Sequence, residues 1–149
     1  TPCLIHQVRY NMFERAPEKG LFPVLEREGV GCICFSPLAQ GALTGKYLKG
    51  IEAGTRASRA GSTLKERYLS PEKLRTVEQL SRTAAERGQT MAQLALSWVL
   101  RRREVTSVLI GASSTAQLKE NLAVISAPGF TEKEENEITD ILEGKWEND

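Results

Sequence analysis

The residues with the clearest capacity for chemistry lie in the turn Gly111-Ala112-Ser113-Ser114, between an apolar run and a helical pattern. This arrangement predicts a strand, a tight turn and a helix N-terminus. A helix N-terminus presents unpaired backbone N–H groups and the positive end of the helix dipole. The small residues would let an anion approach the backbone, and the two hydroxyls can donate further hydrogen bonds. The turn therefore predicts a phosphate-binding site.

A second candidate is the segment from Ser36 to Ser70, which contains five glycines and six basic residues against two acidic ones. Compact domains rarely hold a structureless connection of this length unless it is functional or disordered. One interpretation is a basic, glycine-rich lid beside the anion site. A plain solvated loop is the alternative, and loop statistics favour neither.

The elements that would position these segments alternate between strands and helices. We predict strands at residues 3–9, 30–35 and 105–110, and the last two are the apolar runs typical of a buried parallel sheet. Proline, glycine and capping-box signals predict the helices. These cover residues 16–28, 71–87, 91–100 and 115–125, with a last helix that begins after Thr131 and has Leu142 on its inner face.

This order of elements predicts an α/β fold with parallel strands. Three strands make a thin sheet for so many helices, and the chain passes from Thr1 almost directly into a strand, so we expect part of something larger. In a (β/α)8 barrel, the loops after the last two strands commonly build a phosphate site. Both candidate segments follow the last two predicted strands, which matches that arrangement.

Composition argues against several classes of function. The 149 residues include 20 basic and 19 acidic side chains, and the formal net charge of +1 argues against bulk nucleic-acid or membrane-surface binding. We expect neither a membrane span nor a signal peptide. The three cysteines and the single histidine are too few for a metal site or a disulfide framework, so a cytoplasmic location is expected.

Three blocks of sequence resemble the C-terminal half of the aldo-keto reductase superfamily: Gln7–Asn11, Phe35–Tyr47 and Leu109–Asn121. They are most similar to the branch shared by potassium-channel β subunits and bacterial L-glyceraldehyde 3-phosphate (methylglyoxal) reductases. The resemblance implies that residues 1–149 form a single partial domain. This domain would be the C-terminal portion, about the last three βα units, of a (β/α)8 TIM barrel.

The resemblance also implies that NADP(H) binds at the carboxyl ends of the strands, without a Rossmann domain. Tyr10 would stack on the nicotinamide ring, because an aromatic plane orients a flat ring, and Gln7 would hold the carboxamide. A packed tyrosine at a strand end is the alternative for Tyr10, and the residues alone favour it.

For the cofactor phosphates, the resemblance implies a wrap of backbone and small side chains with two cations. The wrap would comprise Phe35, Ser36, Pro37, Leu38, Ala39, Gln40 and Gly41. Lys46 and Arg56 would supply the positive charge, and a guanidinium can donate two hydrogen bonds to one phosphate. A solvated surface charge is the alternative for each cation.

The resemblance implies that Gly111 and Ser113 meet the adenosine 2′-phosphate. Gln117, Glu120 and Asn121 would contact this phosphate and the adenine edges. Gln117 has a competing role, because its spacing from the serine at position 114 would also close a capping box. Many relatives carry a basic residue near this point, where this chain has Gln117. Arg56 is then the main charged group available to the 2′-phosphate, so the preference for NADPH over NADH is left open.

The family's catalytic Asp, Tyr, Lys and His lie on earlier strands, so this chain alone would lack the catalytic tetrad; His6 does not match by position. The expected function is NADP(H)-dependent reduction of small aldehydes or ketones to alcohols, of the L-glyceraldehyde 3-phosphate or methylglyoxal type. This chain would carry the cofactor-binding half only. The alternative is an NADP(H)-binding regulatory protein, similar to channel β subunits, that acts through a protein partner.

The expected partners follow from the interpretation of this chain as half of a reductase. They are a small carbonyl substrate and the missing N-terminal half of the barrel, because three strands alone would leave two open sheet edges. Neither nucleic acid nor a membrane is expected as a partner. A homo-oligomer is left open, because the family includes monomers, tetramers and larger rings.

Overall fold

The computed structural model describes residues 2–145 and contains a parallel sheet of three strands. The strands lie in the order β1 (Ile5–Arg9), β2 (Gly31–Phe35) and β3 (Val105–Val108). Arg9 pairs with Phe35, the last residues of β1 and β2, so these strands end at the same level. The segments that follow β1 and β2 therefore start at the same end of the sheet, the carboxyl end of its parallel strands.

Six α-helices accompany this sheet within residues 2–145. They are α1 (Leu21–Glu28), α2 (Leu64–Tyr68), α3 (Pro71–Glu86), α4 (Met91–Leu100), α5 (Thr115–Leu122) and α6 (Glu132–Leu142). Short 3-10 turns lie at Ala16–Lys19, Ala39–Thr44, Arg56–Ser58 and Ala123–Ser126. None of the helices in this range is long and apolar enough to span a membrane.

The helix starts confirm the capping signals in the sequence. The Ser70 hydroxyl accepts a hydrogen bond from the third residue of α3. Thr90 and Thr131 each form a complete capping box at the starts of α4 and α6. At the other end of a helix, Gly29 closes α1 in the left-handed conformation that glycine tolerates. These contacts satisfy backbone groups that a helix end leaves unpaired.

Some predicted boundaries are wrong. The predicted helix 16–28 is broken at Gly20, whose φ of −153° is not helical, so a 3-10 turn precedes α1. The helix predicted to residue 125 ends at Leu122 and continues as a 3-10 turn. The strand predicted to residue 110 ends at Val108, and the N–H of Leu109 makes one more bond to the sheet at Cys34 O (2.8 Å).

The segment 36–70 is partly folded. It contains two of the 3-10 turns and helix α2, whose Leu64 and Tyr68 are buried. Near its start, Leu43 and Tyr47 are also buried. A plain solvated loop is therefore wrong for both ends, because apolar side chains anchor them on the core, whereas residues 48–54 are exposed.

The core lies between the sheet and the helices. Cys32 and Cys34 share one face of β2 and are fully buried as free thiols, as their spacing predicts. Burial raises the pKa of Cys34 to about 12, so this thiol stays protonated at neutral pH. The opposite face of the sheet is less covered: Ile33 is half-buried, and Ile5 is exposed.

Candidate functional site

An open groove with a volume of about 720 Å³ lies between the wrap after β2 and the turn after β3. This volume falls in the range of ligand sites, roughly 300–1,000 Å³. The predicted residues that line the groove are Ser36, Pro37, Leu38, Gln40, Gly41, Lys46, Arg56, Gly111, Ser113, Gln117, Glu120 and Asn121. The structure thus brings together two segments that are about seventy residues apart in the sequence.

The sequence prediction missed several lining residues. These are Thr44, Ala92, Leu109, Ile110 and Ala112. All but Ala92 lie inside the sequence blocks that carry the resemblance, so those blocks could have pointed to these lining residues. Ala92 comes from the first turn of α4, whose approach to the groove depends on tertiary packing.

The first wall is a tightly bent backbone after β2. Positive φ angles occur at Ser36 (54°), Ala39 (47°) and Gln40 (58°), followed by Gly41 (95°). Such angles cost conformational energy for residues other than glycine. Residues held in them cluster at ligand clamps and active sites. The N–H of Gly41 bonds to Leu38 O at 2.8 Å, which closes one turn of the wrap. The bend turns this stretch of main chain along the groove.

Two cations stand on the same side of the groove. Lys46 folds back so closely that a Cβ at Gly41 would lie 2.9 Å from its ammonium nitrogen. The ammonium also lies 4.9 Å from the ring centroid of Tyr47. Arg56 begins a 3-10 turn further along and is exposed. Both cations line the groove, as an anion site requires.

The second wall is the start of α5. The Ser114 hydroxyl caps the helix by accepting from the N–H of Gln117 at 3.2 Å. The Gln117 side chain does not return to Ser114, so the expected reciprocal box is not formed. Its Oε1 instead accepts from both the N–H (2.9 Å) and the hydroxyl (3.0 Å) of Ser113. The Gln117 amide oxygen thus accepts from the two Ser113 donors that could otherwise bind a phosphate oxygen.

The inner end of α5 contributes Glu120 and Asn121. The Glu120 carboxylate accepts from the Thr90 hydroxyl at 2.7 Å, and its backbone oxygen accepts from Gln93 Nε2 at 3.0 Å. These bonds tie α5 to the capping box of α4. Asn121 is only 6% exposed and lines the groove. Its side-chain amide has no hydrogen-bond partner within residues 2–145, so its donors and acceptor are available to a ligand.

Four predicted residues lie outside the groove lining. Gln7 is exposed on β1, paired with Ile33 of β2. Phe35 is half-buried at the end of β2, with the Arg9 guanidinium carbon 5.2 Å from its ring centroid. Ala39 is fully buried beneath the wrap. Tyr10, the fourth, departs most from the expected role.

Tyr10 belongs to the core and does not face the groove. Its ring is fully buried and stacks on Trp98, with centroids 5.3 Å apart. Its hydroxyl donates to Glu18 Oε1 at 2.6 Å. Burial, together with the hydrogen bond to Glu18, raises the pKa of Tyr10. The expected stacking of Tyr10 on nicotinamide is therefore corrected, because the ring packs against α4 and α1. The structure shows the alternative, a packed tyrosine at a strand end.

Comparison with known proteins agrees with this fold. The family model described as "Aldo/keto reductase family" matches residues 1–143. The chain belongs to the aldo-keto reductase family.

Two curated relatives are the L-glyceraldehyde 3-phosphate reductases of Escherichia coli K12 (47% identical) and O157:H7 (46%). Each match covers 137 residues, 89% of this chain and 40% of the relative. The chain therefore spans less than half the length of these relatives.

A solved structure, the glycerol dehydrogenase of Gluconobacter oxydans, has a similar fold with a TM-score of 0.77. The sequences are 23% identical, and the match covers 93% of this chain and 42% of that one. The three strands and their helices are accordingly part of a (β/α)8 barrel.

Proposed function

We propose that this chain supplies the NADP(H)-binding half of an aldo-keto reductase that reduces small aldehydes or ketones to alcohols. The observation that carries the proposal is the groove, in which a bent backbone wrap, two cations and a helix N-terminus meet. Pyrophosphate and 2′-phosphate groups are polyanions, and these are the donors that such groups require.

The described residues fit this cofactor in two independent ways. Gly41 leaves free the volume in which a Cβ would press on the Lys46 ammonium, so main chain and cation can approach one ligand together. Asn121, a residue that is 6% exposed, lines the groove, and its side-chain amide makes no hydrogen bond within residues 2–145. An adenine edge offers both a donor and an acceptor to such an amide.

The chain's own residues would act by binding and orientation. Lys46 and Arg56 would neutralise phosphate charge, and the wrap at residues 35–41 would surround the pyrophosphate. Ser113 would turn from Gln117 Oε1 to the 2′-phosphate, with Gly111 and Glu120 beside it. Gln7 would hold the nicotinamide carboxamide. When bound, NADPH supplies a hydride for a carbonyl carbon.

The substrate is proposed from the relatives. Both E. coli proteins are named for L-glyceraldehyde 3-phosphate, so we propose that compound or a similar small carbonyl, such as methylglyoxal. The proton donor and the rest of the catalytic tetrad would come from the N-terminal half of the barrel. Because both E. coli relatives are named as reductases, we propose an enzyme rather than a regulatory subunit.

A cytoplasmic location is proposed as well. Its support is the presence of three free cysteines, including the exposed Cys3, which suit a reducing compartment.

Because this chain supplies only part of the proposed barrel, both tests use a chimera in which it replaces the matched part of the E. coli K12 relative. Isothermal titration calorimetry of the folded chimera with NADPH and NADH tests the binding half of the proposal. We expect saturable binding, with NADPH bound more tightly than NADH. The reductase half is tested by following NADPH oxidation. The folded chimera should oxidise NADPH with L-glyceraldehyde 3-phosphate or methylglyoxal. A folded chimera without NADPH oxidation would refute the proposed activity.

A further inference from the structure

A short turn after β1 contacts both ends of the groove-forming segment. This turn, residues 11–14, is closed by backbone hydrogen bonds between Asn11 and Glu14. Its side chains reach Ser36 at the start of the segment and helix α2 near its end. Both cations of the groove, Lys46 and Arg56, lie between those two points in the sequence.

Asn11 holds the start of the segment. It is fully buried, and its Nδ2 donates to Ser36 O at 3.0 Å. Its Oδ1 accepts from the N–H groups of Phe13 (2.9 Å) and Glu14 (3.1 Å). The amide is thus fixed in one orientation by the turn and bonds the residue at which the positive φ angles begin. The position of the wrap therefore depends on this side chain.

Glu14 holds the far end. Its Oε1 accepts from Nε (3.0 Å) and Nη2 of Arg67, and its Oε2 accepts from the Tyr68 hydroxyl at 2.8 Å. Arg9 Nε lies 3.6 Å from Oε2. The Tyr68 ring also stacks on Phe13 of the turn, with centroids 6.3 Å apart. One half-buried carboxylate therefore accepts hydrogen bonds from two residues of α2 and forms an ion pair with Arg9 of β1.

We infer that Glu14 is a positioning residue for the cofactor groove. By binding Arg67 and Tyr68 while Asn11 holds Ser36, the turn fixes both ends of residues 36–70, so that Lys46 and Arg56 face the turn after β3. The groove's role in cofactor binding rests on the function proposed above. Hydrogen bonds to charged groups are stronger than those between neutral groups, so a single half-buried carboxylate can hold the end of this segment.

The substitution Glu14→Gln, made in the chimera with the E. coli K12 relative, tests the inference with little change of shape. The amide keeps one acceptor oxygen but loses its charge, and its NH2 group would face another donor. We expect faster hydrogen exchange in residues 36–70, with the exchange of α3 unchanged. We also expect NADPH to bind about tenfold more weakly, the equivalent of one charge-assisted hydrogen bond.

Glu18→Gln is the matched control. Glu18 likewise accepts from a tyrosine hydroxyl, that of Tyr10, and from an arginine, Arg15, but none of its described bonds reaches residues 36–70. It should leave exchange in that segment and the Kd for NADPH unchanged. Glu14→Asp, which retains the charge, should recover part of the affinity.

Two outcomes separate the inference from the proposed function. If the unmodified chimera does not bind NADPH, the proposed function fails, while the exchange data still decide whether Glu14 holds the segment. If the unmodified chimera binds NADPH and Glu14→Gln changes neither exchange nor Kd, or if Glu18→Gln has the same effects, the positioning role is overturned.

Discussion

Gly41 offers a sharp test of the groove, because one methyl group there acts on a cation that the groove needs. Its φ is +95°, and an added Cβ would meet the Lys46 ammonium at 2.9 Å and the adjacent methylene at 3.0 Å. The ammonium ends a flexible side chain, so it can move away at little steric cost. Gly41→Ala should therefore strain the backbone and displace the cation.

The two effects have different magnitudes and readouts. A side chain in left-handed backbone costs roughly 1–2 kcal/mol, which should appear as lost unfolding free energy. Loss of one charged hydrogen bond to phosphate is worth about 1.5–3 kcal/mol, which corresponds to a Kd for NADPH weaker by about tenfold to a hundredfold. Denaturant unfolding measures the first effect, and titration calorimetry the second.

Gly50→Ala is the matched control for Gly41→Ala. Gly50 has a φ of +109°, an added Cβ would meet nothing within 4 Å, and the residue does not line the groove. Both variants should lose similar unfolding free energy, but only Gly41→Ala should weaken NADPH binding. Equal Kd values for Gly41→Ala and the unmodified protein would show that the Lys46 ammonium does not bind the cofactor from its place beside Gly41, as would an equal loss of affinity in both variants.

Three further predictions concern other parts of the molecule. Arg56→Gln should reduce the ratio of NADH to NADPH dissociation constants by about tenfold, because a guanidinium bond to the 2′-phosphate is lost; an unchanged ratio would exclude that contact. Thr131→Ala should lower the free energy of unfolding by about 1 kcal/mol in denaturant titrations, because it removes the cap of α6, and a stability equal to that of the unmodified protein would contradict this. Partial burial acts to raise the pKa of Glu14, but hydrogen bonds from Arg67 and Tyr68 hold it below its usual value. The ionised carboxylate thus contributes stability above its unfolded pKa, and this contribution is lost as pH falls through the lowered folded pKa. Between about pH 5 and pH 3 the unmodified protein should lose more stability than Glu14→Gln, and parallel curves would show that Glu14 contributes none of the acid sensitivity.

The sequence predicted those parts of the fold that depend on local chemistry. Thr90 and Thr131 cap their helices as their spacing indicated, and Cys32 and Cys34 share a buried face because strand residues alternate. The start of α5 at residue 115, with Ser114 as its N-cap, was predicted correctly. In each case the determining atoms lie within a few residues of one another.

Features that depend on distant parts of the chain were not predicted from the residues themselves. Tyr10 is buried because Trp98 and Phe22 enclose it, and their approach is set by the packing of α4 and α1. Gln117 bonds Ser113 rather than residue 114, because Ser113 offers both its N–H and its hydroxyl. The contacts of Glu14 join residues more than fifty positions apart, which no short motif reveals.

The central claim is that the wrap after β2 and the turn after β3 together hold NADP(H). Amide NMR spectra of the labelled chimera, titrated with NADP⁺ and with NAD⁺, test it directly. We predict saturable shifts at residues 36–46, 56 and 111–121, and the shifts near Ser113 should be larger with NADP⁺, which alone carries the 2′-phosphate. Shifts confined to other residues, or none at saturating nucleotide, would contradict it.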